Sequence, residues 1–249
     1  MSLSNTPTDR LFSDYFEPLM AGRRNVCRQL VHDALRSGAE PRTIYRGVIW
    51  PAMERIDRLY RDDQINAAVQ NMATRINRVV ADQVQPFLPV VPSNGKRVLM
   101  TCANGEHEEL GAQMCSDLFE AEGWEVFFMG GGVPQDEVVQ LVGQLRPDLL
   151  LIFGSRPCDA PLVRQLIDHI REINVSPAMN VMVSGGVFTR AEGLWKEVRA
   201  DLFAETAVEA LALASQADPP SHERPIPGAP KKRRRRRRPA LLMTPGDDE

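Results

Sequence analysis

Arg97-Val98-Leu99-Met100-Thr101-Cys102-Ala103-Asn104-Gly105-Glu106-His107-Glu108-Glu109-Leu110-Gly111 is the stretch that decides the fold. A short apolar run ends in a polar, glycine-containing turn, and helical periodicity starts again straight after it. That is how a buried strand feeds a crossover helix. The same pattern recurs to the end of the apolar part of the chain. It predicts strands at 97–102, 124–129, 148–153, 180–184 and 201–204, with helices at 108–122, 134–145, 159–173, 190–199 and 206–215. Strands alternating with helices of this length make a parallel sheet with right-handed crossovers. Five such units fit an α/β, flavodoxin-like five-stranded sheet of order 2-1-3-4-5. Ligands of such sheets bind outside the carboxyl ends of the strands, at the switch point between the first and third.

Upstream of this region the rhythm is different. Over 8–87 apolar residues recur at helical spacing, as in Leu11, Phe12, Tyr15, Phe16 and Leu19. Gly22, Ser37-Gly38 with Pro41, and Asp62-Asp63 divide the segment into four helices, a small all-α cap domain. Pro51 interrupts a periodicity that continues past it, so a kink is expected there. Residues 88–96, rich in Pro, Asn and Gly, read as a linker to the sheet domain at 97–216.

Residues 217–249 read as a disordered basic tail. Its eight consecutive cations, from Lys231 to Arg238, conceal an acidic body: without them the formal net charge goes from −3 to −11. An acidic body is a poor stand-alone reader of nucleic acid, whereas the tail suits non-specific contact with nucleic acid. No apolar run approaches the ~20 residues of a membrane span. The polar start lacks a signal-peptide core, and Cys27, Cys102, Cys115 and Cys158 show no paired spacing. A cytoplasmic protein with reduced thiols is the expectation, with no membrane partner.

Three loops at the ligand-binding edge carry chemistry. The first holds His107, flanked by Glu106 and Glu108 and followed by Gly111; the second holds Ser155-Arg156-Pro157; the third is Gly185-Gly186. Imidazole is a general metal ligand, and residues without Cβ leave room for a close-fitting ligand. Each loop also has an ordinary reading: acidic residues suit a helix N-terminus, a glycine pair suits a turn, and Thr189 could cap the helix that follows. Gly130-Gly131-Gly132 after the second strand adds a loop whose backbone, at Gly131, could touch a ligand. His32 and His169 fall on helices and read as surface or packing residues. The chain shows no acid/base pair, nucleophile triad or phosphate loop, so it reads as a binding protein and not an enzyme.

Taken together, the loops resemble the cobalamin-binding module, whose pattern is Asp-x-His-x-x-Gly, then Ser-x-Leu, then Gly-Gly. Here 43 residues separate Gly111 from Ser155, and 27 separate Pro157 from Gly185. The resemblance covers roughly residues 8–216. It implies that a His takes the place of the nucleotide base beneath cobalt, while the base threads into a shaft past Ser155, Gly185 and Gly186. Pro157 stands where the family has Leu. Counting back from Gly111, the ligand position holds Glu108 and the acidic position Glu106, with His107 one residue early.

In the cap, light-sensing relatives cover the corrin with a Trp and a Glu-His pair; this frame places Tyr60, Gln70 and Asn71 there, with Arg61 where some carry a second imidazole. The pattern looks most like the AerR/PpaA antirepressors of anoxygenic phototrophs. On that resemblance the expected function is a light- or redox-responsive transcriptional regulator that binds hydroxo- or adenosylcobalamin and acts through a DNA-binding repressor of the CrtJ/PpsR type. The alternatives are a corrinoid methyl carrier of a methyltransferase system, a heme sensor on the same scaffold, and a cofactor-free adaptor.

Overall fold

The computed structural model describes residues 6–103 and 106–220, the side chains of 106–108 excepted. Four helical segments come first: α1 (Pro7–Met20), α2 (Arg24–Arg36), a continuous rod made of α3 (Pro41–Ile44), a π-helical turn (Tyr45–Ile49) and α4 (Trp50–Arg61), and α5 (Ala67–Val84). A capping box between Thr6 and Asp9 starts α1, and the Asn66 side chain caps α5. Gly22, Gly38 and Asp63 take positive φ at the three breaks, which only short or Cβ-free residues do at low cost. The expected disturbance at Pro51 is the π turn: Trp50 N–H reaches back to Tyr45 O, just ahead of a proline that has no N–H to offer.

The sheet order is β2-β1-β3-β4-β5, all parallel, from β1 (Arg97–Cys102), β2 (Glu125–Gly130), β3 (Leu149–Phe153), β4 (Asn180–Ser184) and β5 (Leu202–Phe203). The crossovers are α6 (Glu106–Ala121), α7 (Gln135–Leu145), α8 (Asp159–Ile173) and, after β4, α9 (Gly186–Arg190) with α10 (Leu194–Glu197); α11 (Ala207–Gln216) closes the chain. Alternation along the strands divides the core. Val98, Met100, Leu149 and Leu151 face α6 and α11, while Leu99, Leu150 and Ile152 face α7 and α8.

Two differences from the sequence expectation have local causes. The helix expected at 190–199 is two short helices, because Gly193 turns the chain at φ +77°. Thr189 lies inside α9 and is not its N-cap; Gly185 holds that position. The cap and the sheet share a core through α6: Leu110 and Met114 pack in the same cluster as Tyr15, Tyr45 and Val80. The cap is therefore seated against one particular crossover helix, the one that begins beside His107.

Candidate functional site

Helices α5 and α6 run side by side in the same direction. Arg78 Nη2 donates to Glu109 Oε2 at 3.1 Å, and one turn on Gln113 Nε2 donates to Asp82 Oδ1 at 2.5 Å. Glu109 sits one turn into α6, whereas Asn71 lies seven residues before Arg78. At 1.5 Å per residue, α5 therefore overhangs the start of α6 by roughly 6 Å. The short link from α4 to α5 brings Tyr60 to this same end. Tyr60 is 40% exposed and shares a face of α4 with Trp50, Met53 and Asp57. Tyr60, Gln70 and Asn71 thus lie at the end of the cap where α4 passes into α5. Gln70 belongs to the buried face of α5, and Asn71 to the exposed side.

Trp50 and Met53 of the cap pack against α6 at Gly111. A Cβ on Gly111 would lie 3.4 Å from Trp50 Cζ3 and 3.7 Å from Met53 Cε. The aromatic lid over Gly111 is therefore Trp50, which the family frame does not pick out. The backbone of 106–108 starts α6, two residues earlier than expected; the side chains of Glu106, His107 and Glu108 lie outside the described residues.

The β2 loop is tied to the cap through one carboxylate. A bulge between Met100/Thr101 and their β2 partners carries the chain to Gly130, whose carbonyl accepts from Thr101 Oγ1. Gly131 N–H donates to Glu109 Oε1 at 3.0 Å while the other oxygen takes Arg78. The Gly131 amide expected to face a ligand is thus engaged by Glu109.

Ser155 and the glycine pair meet at the β3–β4 edge. Asp159, fully buried, accepts from the backbone N–H groups of Ser155 (3.1 Å) and Arg156 (2.8 Å) and so fixes the loop. The two glycines differ. Gly185 has φ +100°, and a Cβ there would lie 2.5 Å from Gly154 O and 3.0 Å from Gly154 N, so the backbone itself requires it. A Cβ on Gly186 would first meet the end of the Arg190 side chain, 3.2 Å from Cζ and nearer to Nη1. The space above Gly186 is filled by a side chain, that of the exposed Arg190, and not by backbone. A flat group entering beside Ser155 and Gly186 would take that place by moving the side chain aside, so the residues present suit a nucleotide tail once Arg190 is displaced.

A second contact between cap and sheet is titratable. Tyr45 Oη donates to Asp117 Oδ2 at 2.6 Å and lies 3.1 Å from Ala81 O. Burial, aided by Glu120 and Asp82, pushes the Asp117 carboxyl up to about 6, against the bond from Tyr45; the Tyr45 hydroxyl is held well above its usual range, first by burial. A carboxyl raised in the folded state stabilises when protonated. Its contribution is complete below about pH 4 and lost as pH rises through about 6. Asp117→Asn is therefore expected to be more stable than wild type at pH 7.5 by on the order of 1–2 kcal/mol, allowing for partial solvent screening. The gap should close by pH 4, as urea midpoints across that range measure; a gap independent of pH would refute it.

Residues 96–212 match a family model described as B12 binding domain, and residues 11–84 match a second with the same description. The chain carries a B12-binding domain pair. This B12-binding pair is 23% identical over 195 residues to monomethylamine corrinoid protein 1 of Methanosarcina acetivorans, covering 76% of this chain and 88% of that one. It is 21% identical to dimethylamine corrinoid protein 1 of Methanosarcina mazei, over 85% and 97% of the two chains. Its fold superposes on the monomethylamine corrinoid protein of Methanosarcina barkeri with a TM-score of 0.74 at 18% identity, covering 83% and 98%.

These likenesses correct the expected partner. Relatives that match across both domains are named monomethylamine and dimethylamine corrinoid proteins, so a DNA-binding repressor of the CrtJ/PpsR type is withdrawn. The lid residues behind that expectation, Tyr60, Gln70 and Asn71, report the shape of the cap and not the identity of a partner. Both matched models concern B12, which sets the heme alternative aside. No helix among the described residues is long and apolar enough to cross a membrane. The Lys231 to Arg238 run lies outside the described residues.

Proposed function

We propose that this chain is a cytoplasmic corrinoid methyl carrier, without turnover of its own, that presents its cofactor to a separate methyltransferase. The observation that supports it most is the pairing of cap and sheet: Trp50 and Met53 pack over Gly111 on the helix that follows β1, and Ser155 and Gly186 follow the neighbouring strands β3 and β4, with only a side chain, that of Arg190, found between them. The likeness to corrinoid proteins across both parts of the chain supports the same reading. When bound, a corrinoid supplies a cobalt centre that accepts and gives up a methyl group. Tyr60, Gln70, Asn71 and Trp50 would cover its upper face, Gly111 and Gly131 would border it, and Ser155 with Gly186 would receive its tail. His107, with Glu106 and Glu108 beside it, is the candidate ligand below.

A carrier has to expose its cofactor to a partner and cover it again. The ties that hold the cap down suit that task. Arg78–Glu109 is only partly buried, and such ion pairs contribute little, roughly 0–1 kcal/mol. The Tyr45–Asp117 bond adds one directional contact beside it. The polar ties thus orient the cap, while the apolar cluster around Leu110 and Met114 holds it against α6.

The test is to load the full chain with hydroxocobalamin, desalt it and record its spectrum beside His107→Ala. Wild type is expected to keep about one equivalent, and the variant to lose at least about tenfold in affinity, as loss of a ligand-orienting group does. After the bound corrinoid is reduced by two electrons with an added chemical reductant and then methylated, the methyl group should pass to a thiol acceptor when a methyltransferase is supplied, with mono- and dimethylamine the first donors to try. A colourless wild type overturns the proposal. A sample whose spectrum and shape change on illumination, and which transfers no methyl group, would favour the AerR/PpaA-like light-responsive reading in its place.

A further inference from the structure

Arg190 is the last residue of α9, yet its side chain points back over the start of its own helix. The guanidinium lies against Gly186 and donates from Nη2 to the carbonyl oxygen of Ser155. It therefore bridges the two loops between which a corrinoid's nucleotide tail would pass. Nothing in the packing of the fold demands this. Gly185 is bare because the Gly154 backbone is 2.5 Å from where its Cβ would be; at Gly186 the nearest atoms are those of a flexible, exposed cation. A planar five-donor group fills the place that a planar heterocycle would take.

We propose that Arg190 is the tail-discriminating residue of this shaft: it occupies the space over Gly186, and a corrinoid with a nucleotide tail enters only by displacing it. The inference rests on the corrinoid reading given above. Two groups cannot share the cradle, since a Cβ alone would already crowd the guanidinium. The displaced side chain swings into solvent, where its charge is hydrated, so the obstacle is kinetic and small. A corrinoid lacking the nucleotide leaves Arg190 in place and meets no such obstacle. Arg190 thus makes the shaft respond to the tail, whereas Ser155 and Gly186 supply only room for it.

The experiment compares hydroxocobalamin with cobinamide, which lacks the nucleotide, by stopped-flow absorbance on the full-length protein. Wild type should take up cobinamide faster than cobalamin. In Arg190→Ala the cobalamin association rate should rise about tenfold, the factor carried by ~1.4 kcal/mol of barrier, while the cobinamide rate changes less than twofold. Arg190→Gln, two bonds shorter and uncharged but still filling part of the space, should fall between the two and serves if the alanine variant melts early. An unchanged or slower cobalamin rate in both variants overturns the proposal, a slower one making Arg190 a contact of the tail instead. If wild type retains neither ligand, the corrinoid reading falls together with it; if it retains both and the variants do not separate them, only the role of Arg190 falls.

Discussion

Replacing Gly185 with alanine is expected to destabilise the protein by about 3 kcal/mol, while the same change at Gly186 costs less than about 1 kcal/mol. The adjacent residues look equivalent on the sequence, and the difference is geometric. At Gly185 φ is +100°, a conformation that costs an L-residue roughly 1–3 kcal/mol. The new methyl group would also overlap Gly154 O, which accepts the Val187 N–H and cannot withdraw without breaking the link between the β3 and β4 loops. Overpacking of this kind adds roughly 1–3 kcal/mol. At Gly186 the backbone is ordinary and the obstacle is the end of Arg190, which turns away. Thermal melts with retained corrinoid measured alongside separate the two roles. Gly186→Ala should melt like wild type yet hold cobalamin at least about tenfold more weakly, because its methyl group narrows the shaft. Equal melting of both variants would show that the glycines share one structural role.

The fold was legible because its signals are local. Gly22, Gly38 and Asp63 break the cap helices where the sequence places the breaks, and five apolar runs become five strands in the order that α/β connectivity imposes. The split between α9 and α10 was not legible, since Leu194, Trp195 and Val198 continue a helical spacing through the left-handed turn at Gly193. At the site, the strand-edge loops identify themselves, because any loop after a parallel strand arrives at that edge. The residues that position them do not. Glu109 meets Arg78 across 31 residues and Arg190 meets Ser155 across 35, and no periodicity encodes such a pairing. Trp50 carried no such signal either: the expected kink rests on Pro51, and nothing in the spacing marks its neighbour as the residue over Gly111. The choice between regulator and carrier lay beyond the motif, because loop spacing records the shape of a ligand and is silent on what is done with it.

Asp159 is the other position where a large loss is expected, and it lies outside the family pattern. Asp159→Ala should cost about 3 kcal/mol and reduce cobalamin retention far more than retention of cobinamide. The carboxylate is fully buried, and a single oxygen receives the N–H groups of both Ser155 and Arg156. Alanine leaves two backbone donors without their acceptor at the entrance to α8, each worth roughly 1–3 kcal/mol if it stays buried. Some of that cost returns as the loop opens to water, and the opening would harm the proposed tail site, because Ser155 would lose the position that Asp159 gives it. Asp159→Asn keeps an oxygen acceptor and should recover most of the stability, though its neutral oxygen accepts more weakly than a carboxylate. The measurement pairs urea denaturation with desalted cofactor ratios for cobalamin and cobinamide. A variant that loses stability while keeping the wild-type preference between the two corrinoids would confine Asp159 to folding and detach the Ser155 loop from tail recognition.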